Sequence, residues 1–164
     1  MHLIPILAIG AFAGIRMAEL NRLDWTAFDL ERGIIELRAG QAKTASRRII
    51  PITDNLRAWL EPLPRNGRVV KHSLLHREVT ALARALNMEW PRNVLRHSFI
   101  TYRIAKIKSA DQMALEAGNS PSIIFKHYRE LATEEQADQW FSIVPKDGQW
   151  DNARVVTLPE TSGE

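Results

Sequence analysis

Two arginines, one lysine and one tyrosine of this chain have the chemistry needed to attack a phosphodiester. Planar guanidinium groups can hold two phosphate oxygens through forked hydrogen bonds, and this stabilises the negative charge that builds up during attack. A tyrosine hydroxyl can serve as the nucleophile once its proton is removed. The set therefore predicts phosphodiester chemistry without a metal. Its members are Arg16 in GIRMAEL (14–20), Lys43 in QAKTASRR (41–48), Arg96 in NVLRHSF (93–99) and Tyr128 in GNSPSIIFKHYREL (118–131).

Each of these residues also has an ordinary structural explanation. Arg16 and Arg96 could form surface ion pairs, and Tyr128 could pack against apolar neighbours at the end of a helix. A lysine in a turn, such as Lys43, is usually solvated. Glu19 lies three residues after Arg16, so it either orients the Arg16 guanidinium or forms an ion pair of little energetic value.

Helices make up most of the predicted secondary structure that must position these side chains. An apolar helix is predicted over residues 3–13, and Gly14 separates it from a short helix that starts near Arg16. The amphipathic period of residues 72–88 predicts another helix. The remaining predicted helices cover 54–60, 92–106, 109–117, 120–128 and 133–142, the last opening with the capping-box sequence Thr133-Glu134-Glu135-Gln136.

Three short strands are predicted over residues 24–30, 33–39 and 47–53, with turns at 31–33 and 40–45. Lys43 falls at or beside the second turn. The expected fold is therefore α+β and mostly helical, with a small three-stranded antiparallel sheet. We expect residues 1–145 to form one domain, since 164 residues with 45% apolar content can bury one substantial core. The polar tail 146–164 lacks a face that could be buried.

The basic residues are more informative as clusters than as a total. The chain has 22 Lys and Arg against 19 Asp and Glu, a formal net charge of only +3. Clustered cations are typical of a phosphate-facing surface, with a solvated basic face as the alternative. On this basis the candidate DNA-binding residues are Lys43, Arg47, Arg48 and Arg92.

Several other kinds of site are disfavoured. The absence of cysteine excludes disulfides and thiolate metal ligands. The apolar run at 3–15 is too short for a membrane-spanning helix, which takes ~20 residues, and it lacks the basic start of a signal peptide. His72 and His76 have the i,i+4 spacing of metal ligands, but no third ligand follows at an obvious spacing, so no metal site is predicted.

The order and spacing of these segments resemble the catalytic domain of the tyrosine recombinase (phage integrase) family over about residues 3–145. That family has a G-x-R-x-x-E segment, a lysine in a β-hairpin turn, an H-x-x-R-H segment and a G-H motif nine residues before a nucleophilic tyrosine. The matching residues here are Gly14, Arg16, Glu19, Lys43, Asn93 to His97, Gly118, Asn119 and Tyr128. Asn119 lies nine residues before Tyr128, as the pattern requires.

The resemblance implies site-specific cleavage and rejoining of double-stranded DNA through a 3′-phosphotyrosyl intermediate, as in integration or excision of mobile DNA, with no cofactor. Tyr128 would be the nucleophile, Arg16 and Arg96 would bind the phosphate, and Lys43 would protonate the leaving 5′-oxygen. Glu19 and His97 would contact these residues and hold them in position without touching the DNA. A cytoplasmic protein encoded by a bacterium or phage is implied as well.

Two residues depart from the family pattern. Asn93 and Asn119 both stand where histidine is common, with tryptophan also common at the second position. Asparagine can position Tyr128 or a phosphate oxygen, but it cannot shuttle a proton near neutral pH. His97 and His127 are the nearby histidines that could compensate, although a structural hydrogen-bonding role suits either of them.

Family members usually have a helical DNA-binding domain before the segment equivalent to Leu3, so the chain is expected to be a fragment or a minimal member that binds DNA weakly on its own. The amphipathic segment 133–144 is expected either to dock on a neighbouring protomer, as in a tetramer assembled on DNA, or to pack on its own domain. Two alternative functions remain: relaxation of DNA by a type IB topoisomerase, and DNA binding by a catalytically degenerate accessory domain.

Overall fold

The apolar helix α1 (Leu3–Ala13) is buried along most of its length. Its side chains are apolar on every face, so neighbouring elements must cover it on several sides. α1 packs against α3 (Asp54–Leu60) and α5 (Val94–Ile107). In this computed structural model the described residues are 3–38, 47–70, 75–128 and 131–146.

The other helices match the sequence predictions closely. α2 begins directly after Arg16, α7 starts with a proline in its first turn, and the capping box at Thr133 and Gln136 is present. The remaining bounds are α2 Met17–Leu20, α4 Leu75–Ala85, α6 Ala110–Ala117, α7 Pro121–Tyr128 and α8 Glu134–Phe141.

Helix α4 ends earlier than its predicted boundary at Met88. Asn87 has a positive φ of 51°, and the Met88 N–H donates to the Ala83 carbonyl at 2.9 Å. This arrangement is a Schellman-type helix end, in which a left-handed residue allows the next N–H to reach back to an unsatisfied carbonyl. The first residues of the predicted helix, 72–74, lie outside the described residues.

The small sheet has three antiparallel strands in the order β1-β2-β3, as predicted. Their bounds are β1 Phe28–Asp29, β2 Ile34–Leu37 and β3 Arg48–Pro51. The first predicted strand is largely replaced by a 3₁₀ turn over Trp25–Ala27, because the Asp24 carboxylate accepts from the Thr26 backbone N–H and caps that turn. The fold is thus α+β and mostly helical.

The C-terminal helix α8 packs on its own domain. The Trp140 ring stacks on Tyr102 of α5, and its Nε1–H donates to the Ala11 carbonyl at 3.2 Å. At the surface, Lys106 pairs with Asp138 and Lys108 with Glu134. The segment 133–144 was expected either to dock on a neighbouring protomer or to pack on its own domain, and the structure has the second arrangement. Among the described residues, no helix is both long and apolar enough to cross a membrane.

Gly14 makes a sharp turn between α1 and Arg16, and we expect Gly14→Ala to destabilise the domain. Its φ is +61°, and a Cβ placed there would lie 2.3 Å from Cδ1 of Phe99. The left-handed conformation alone costs roughly 1–2 kcal/mol for alanine. Forcing the buried Phe99 ring to move should add about 1–3 kcal/mol.

Gly67→Ala is the matched control for this prediction, since Gly67 has a φ of +65° but no atom within 4 Å of the added Cβ. Urea unfolding should give a lower free energy of unfolding for Gly14→Ala than for Gly67→Ala. Equal losses in the two variants would mean that the contact with Phe99 contributes nothing.

Candidate functional site

Arg16 is held from three sides at the start of α2. Its Nη1 donates to Glu19 Oε1 at 3.1 Å, and its Nη2 donates at 2.9 Å both to the Gly118 carbonyl and to Asn119 Oδ1. Glu19 Oε2 also accepts from the Arg16 backbone N–H at 3.0 Å. The prediction that Glu19 orients Arg16 is consistent with these contacts, which fix the guanidinium while leaving 20% of the side chain exposed.

Arg96 is held by oxygens that carry no full charge. Its Nη1 donates to the Gly14 carbonyl and its Nη2 to the Ala117 carbonyl, both at 2.6 Å. A third acceptor is Asn119 Oδ1, at 3.2 Å from Nη2. Within the described part of the chain, no carboxylate lies within hydrogen-bonding distance of Arg96. Desolvation by burial, together with the charges of Arg16 and Arg48, lowers the Arg96 pKa to about 10, so the group is a cation at neutral pH.

Asn119 joins the two arginines. Its amide oxygen accepts from Nη2 of Arg16 and from Nη2 of Arg96. An amide nitrogen at this position would face two donors, so the oxygen must be the atom that points inward. The side chain therefore positions guanidinium groups, a role that does not require a proton to be transferred.

Arg48 lies behind this pair and is buried, which corrects the prediction that it belongs to a phosphate-facing surface. Its side chain is 4% exposed and forms a two-pronged ion pair with Glu19, at 3.1 Å and 2.6 Å. Strand β3 alternates, so that Arg48 and Ile50 face the interior while Ile49 is exposed. This period of two was the sequence signal that could have identified Arg48 as an internal residue.

Glu19 is the shared carboxylate of this network and is 1% exposed. Burial by itself would raise its pKa, but hydrogen bonds and charge from Arg48, with smaller contributions from Arg16, outweigh burial and lower the pKa to about 2. Among the described residues, Arg16 and Arg48 thus pair with the ionised carboxylate of Glu19, and the Arg96 guanidinium lies within its electrostatic reach. Such a centre has an excess of positive charge and favours an anionic ligand.

Tyr128, the last residue of α7, is buried, with 7% of its surface exposed. Its hydroxyl lies 2.6 Å from Nδ1 of His97, and the two rings stack with centroids 5.7 Å apart. Burial raises the pKa of the Tyr128 phenol, and the positive charges of Arg96 and Arg16 oppose that shift only in part. The sequence identified both residues but gave no signal that they form this hydrogen bond.

A cavity of about 590 Å³ opens in front of the arginines. Arg16 and Arg96 line it together with Arg92 and Asn93, which are exposed at the start of α5. Asn93 has a positive φ of 60°, a conformation in which asparagine is enriched among the residues other than glycine. The backbone thus gives one reason for asparagine at this position.

The other predicted DNA-binding residues lie away from this cavity or outside the described residues. Arg47 is exposed at the start of β3, where its Nε pairs with Glu36 at 3.0 Å. Lys43 lies outside the described residues, so its predicted position on the hairpin stays a prediction. His72 lies outside them as well, and the possible pairing of His72 with His76 has no structural test.

Comparison with solved structures identifies the fold. One neighbour is XerA recombinase, with a TM-score of 0.66 and 19% sequence identity over 88% of this chain and 59% of that chain. Another is the Tn1549 transposon integrase in complex with a circular intermediate DNA, with a TM-score of 0.54 and 16% identity over 84% of this chain and 57% of that chain. The same integrase in complex with transposon right end DNA gives a TM-score of 0.53.

These similarities establish a tyrosine-recombinase-like fold, as the sequence resemblance implied. The chain spans less than two thirds of each of these structures, at 57–59% of their length. No protein-family model matches the chain. No curated protein matches it either.

Proposed function

We propose that this domain, which has the fold of tyrosine recombinases, cleaves and rejoins DNA strands at specific sites through a phosphotyrosyl intermediate. The observation that supports the proposal best is the arginine centre, in which the described residues bring the guanidinium groups of Arg16, Arg48 and Arg96 together near the carboxylate of Glu19. A phosphodiester carries one negative charge and gains more on its non-bridging oxygens when it is attacked. An excess of fixed positive charge therefore stabilises the transition state more than the ground state.

The proposed reaction assigns one task to each residue. Arg16 and Arg96 bind the non-bridging oxygens in the cavity that they line. The Tyr128 oxygen attacks phosphorus and releases a 5′-hydroxyl, and the attack is later reversed by a 5′-hydroxyl from the same or another strand. Protonation of the leaving oxygen is assigned to Lys43, on the family resemblance alone. Asn119 and Glu19 hold the arginines in position.

Double-stranded DNA is the proposed partner, and the Tn1549 integrase structures in complex with DNA are consistent with this assignment. Arg92 on the cavity rim and the exposed Arg47 are the proposed backbone contacts. Arg48 is not proposed as a DNA contact, because its guanidinium is buried and forms an ion pair with Glu19. Self-association on DNA through the C-terminal helix is also part of the proposal, and it would require α8 to leave its position in cis.

One observation favours a second candidate, an accessory domain that binds DNA without cleaving it. The Tyr128 hydroxyl is hydrogen bonded to His97 and to neither arginine, and the tyrosine side chain is largely buried. A domain that had lost its chemistry could retain the arginine centre as a phosphate-binding site. The two candidates differ in whether a covalent bond to DNA forms.

A trapping experiment tests the proposal. The chain is incubated with a pool of randomised duplexes in which one strand carries 5′-bridging phosphorothiolate linkages, whose sulfur leaves without needing a proton. We expect a complex that survives denaturant, and peptide mass spectrometry should locate the attached nucleotide on Tyr128. Binding without any covalent complex would favour the accessory domain. Attachment to Tyr102, the other tyrosine of the chain, would contradict the assigned nucleophile.

A further inference from the structure

The Tyr128 hydroxyl has one hydrogen-bond partner within the described part of the chain, Nδ1 of His97 at 2.6 Å. His97 follows Arg96 directly in α5, so the helix that contributes a phosphate-binding arginine also contributes this imidazole. The near-parallel stacking of the two rings, with an interplanar angle of 22°, keeps the nitrogen beside the hydroxyl. The charges of Arg96 and Arg16 also act on the Tyr128 phenol, so the contact lies within electrostatic reach of the arginine centre.

The two residues differ in their access to solvent. Tyr128 is buried, whereas His97 is exposed. Burial limits the contact of the Tyr128 side chain with water, whereas an exposed imidazole that accepted the phenolic proton on Nδ1 could release a proton from Nε2 to solvent. The geometry thus provides a path from a buried hydroxyl to bulk water through one side chain.

We propose that His97 is the catalytic base that takes the phenolic proton of Tyr128 during strand cleavage and returns it during rejoining. The inference rests on the proposed function. As the Tyr128 oxygen forms its bond to phosphorus, its proton moves to Nδ1 of His97, while the P–O5′ bond breaks and the leaving oxygen gains a proton from a separate acid. Rejoining reverses each transfer, so that protons and electron pairs balance over the cycle.

Among the described residues, Asn93, Asn119 and the arginines do not suit this task, and His76, which also lines the cavity, does not hydrogen bond to the Tyr128 hydroxyl. Asn93 and Asn119 cannot take up a proton near neutral pH, and the Asn119 oxygen already accepts from two guanidinium groups. Arg16 and Arg96 are cations that donate hydrogen bonds and have no lone pair to offer. The arrangement also explains how the site could work without histidine at position 93 or 119.

The raised pKa of the Tyr128 phenol supports the need for a base. Burial has the largest effect on this pKa, and the charges of Arg96 and Arg16 act against burial without overcoming it. The phenol is therefore protonated at rest near neutral pH. It becomes a competent nucleophile only if its proton is transferred as the bond to phosphorus forms.

The test compares rates of covalent complex formation on the randomised phosphorothiolate pool, where protonation of the leaving group is not needed. We expect His97→Gln to slow complex formation by about 100-fold or more, in the range for loss of a general base. The matched control is His127→Gln, since His127 is exposed on α7 beside Tyr128 in the sequence. This variant should react at the wild-type rate.

A second arm separates loss of a base from loss of structure. Fluorotyrosine at position 128, whose phenol is more acidic, should accelerate His97→Gln but not the wild type, because the fluorinated phenol needs less help to lose its proton. An unchanged rate in His97→Gln would overturn the proposal, as would a faster rate, which would mean that the hydrogen bond restrains Tyr128. A slowed variant that fluorotyrosine does not rescue would also overturn it. If the wild type forms no covalent complex, the proposed function fails together with this inference.

Discussion

Tyr128→Phe is expected to abolish the covalent complex with DNA while leaving non-covalent DNA binding nearly unchanged. Removing the attacking oxygen leaves no other group to form the bond, so complex formation should fall by at least about 10⁴-fold, the scale of nucleophile loss in covalent catalysis. In the proposed function, binding depends on the arginine centre and the basic rim, which this variant retains, so affinity should stay within about twofold. Denaturing gels measure the first quantity and native gels the second.

The fold should survive this change, because the Tyr128 hydroxyl bonds to an exposed imidazole that can turn to water instead. The free energy of unfolding should change by less than about 1.5 kcal/mol. Tyr102→Phe is the matched control, since Tyr102 lies on α5 and stacks on Trp140. A denaturant-resistant complex that persists in Tyr128→Phe would show that a different residue is the nucleophile.

Glu19→Gln is expected to cause a large loss of stability. The change leaves the buried Arg48 without its carboxylate, and Nε of Arg48 already has no partner within the described part of the chain. Breaking a buried ion pair by removing one partner typically costs about 3–5 kcal/mol. The same change removes the carboxylate that holds Arg16 on one side, so covalent complex formation should also slow when it is measured below the unfolding temperature.

Glu116→Gln separates these two effects. Glu116 is also buried and binds Arg103 through two hydrogen bonds of 2.9 Å and 3.0 Å, but this pair joins α5 to α6 without contacting Arg16 or Arg96. We expect a comparable loss of stability in urea unfolding and a nearly unchanged rate of complex formation in the folded protein. If both glutamate variants slow the reaction equally, the effect of Glu19 is one of stability alone.

Glu19 also predicts how stability depends on pH. Its pKa is about 2 in the folded protein against an ordinary value of 4.5, so the unfolded chain binds the proton more tightly. The stabilisation is therefore complete above about pH 4.5 and is lost as the pH falls toward 2, with a total of about 3 kcal/mol. Urea midpoints should fall more steeply with acid in the wild type than in Glu19→Gln.

Much of the fold could be predicted from the sequence because its signals are local. The apolar run of α1, the glycine at position 14 and the capping box before α8 each specify structure through neighbouring residues. The errors arose where a side chain competed for backbone groups, as Asp24 does when it caps a 3₁₀ turn in place of the predicted strand. Strand and helix ends depend on such contacts more than on periodicity.

The site was only partly predictable, because its contacts join residues far apart in the chain. Arg16 lies 103 residues from Asn119, and Arg96 lies 82 residues from Gly14. Residue types and order pointed to the arginines and the tyrosine. The burial of Arg48, the bridging position of Asn119 and the contact between His97 and Tyr128 depend on how the helices pack, and no local pattern specifies that packing.

The carbonyls that hold Arg96 are found at the C-terminal ends of two helices. Ala117 is the last residue of α6, and Gly14 directly follows the last residue of α1. The peptide dipoles of a helix sum to a partial charge of roughly −0.5 at that end. The partial charges of two such helix ends together approach the full negative charge of one carboxylate. Protonation cannot remove them. Beside the charge of Glu19, the protein thus stabilises this buried cation with backbone carbonyls that acidification cannot titrate and that a bound phosphate need not displace.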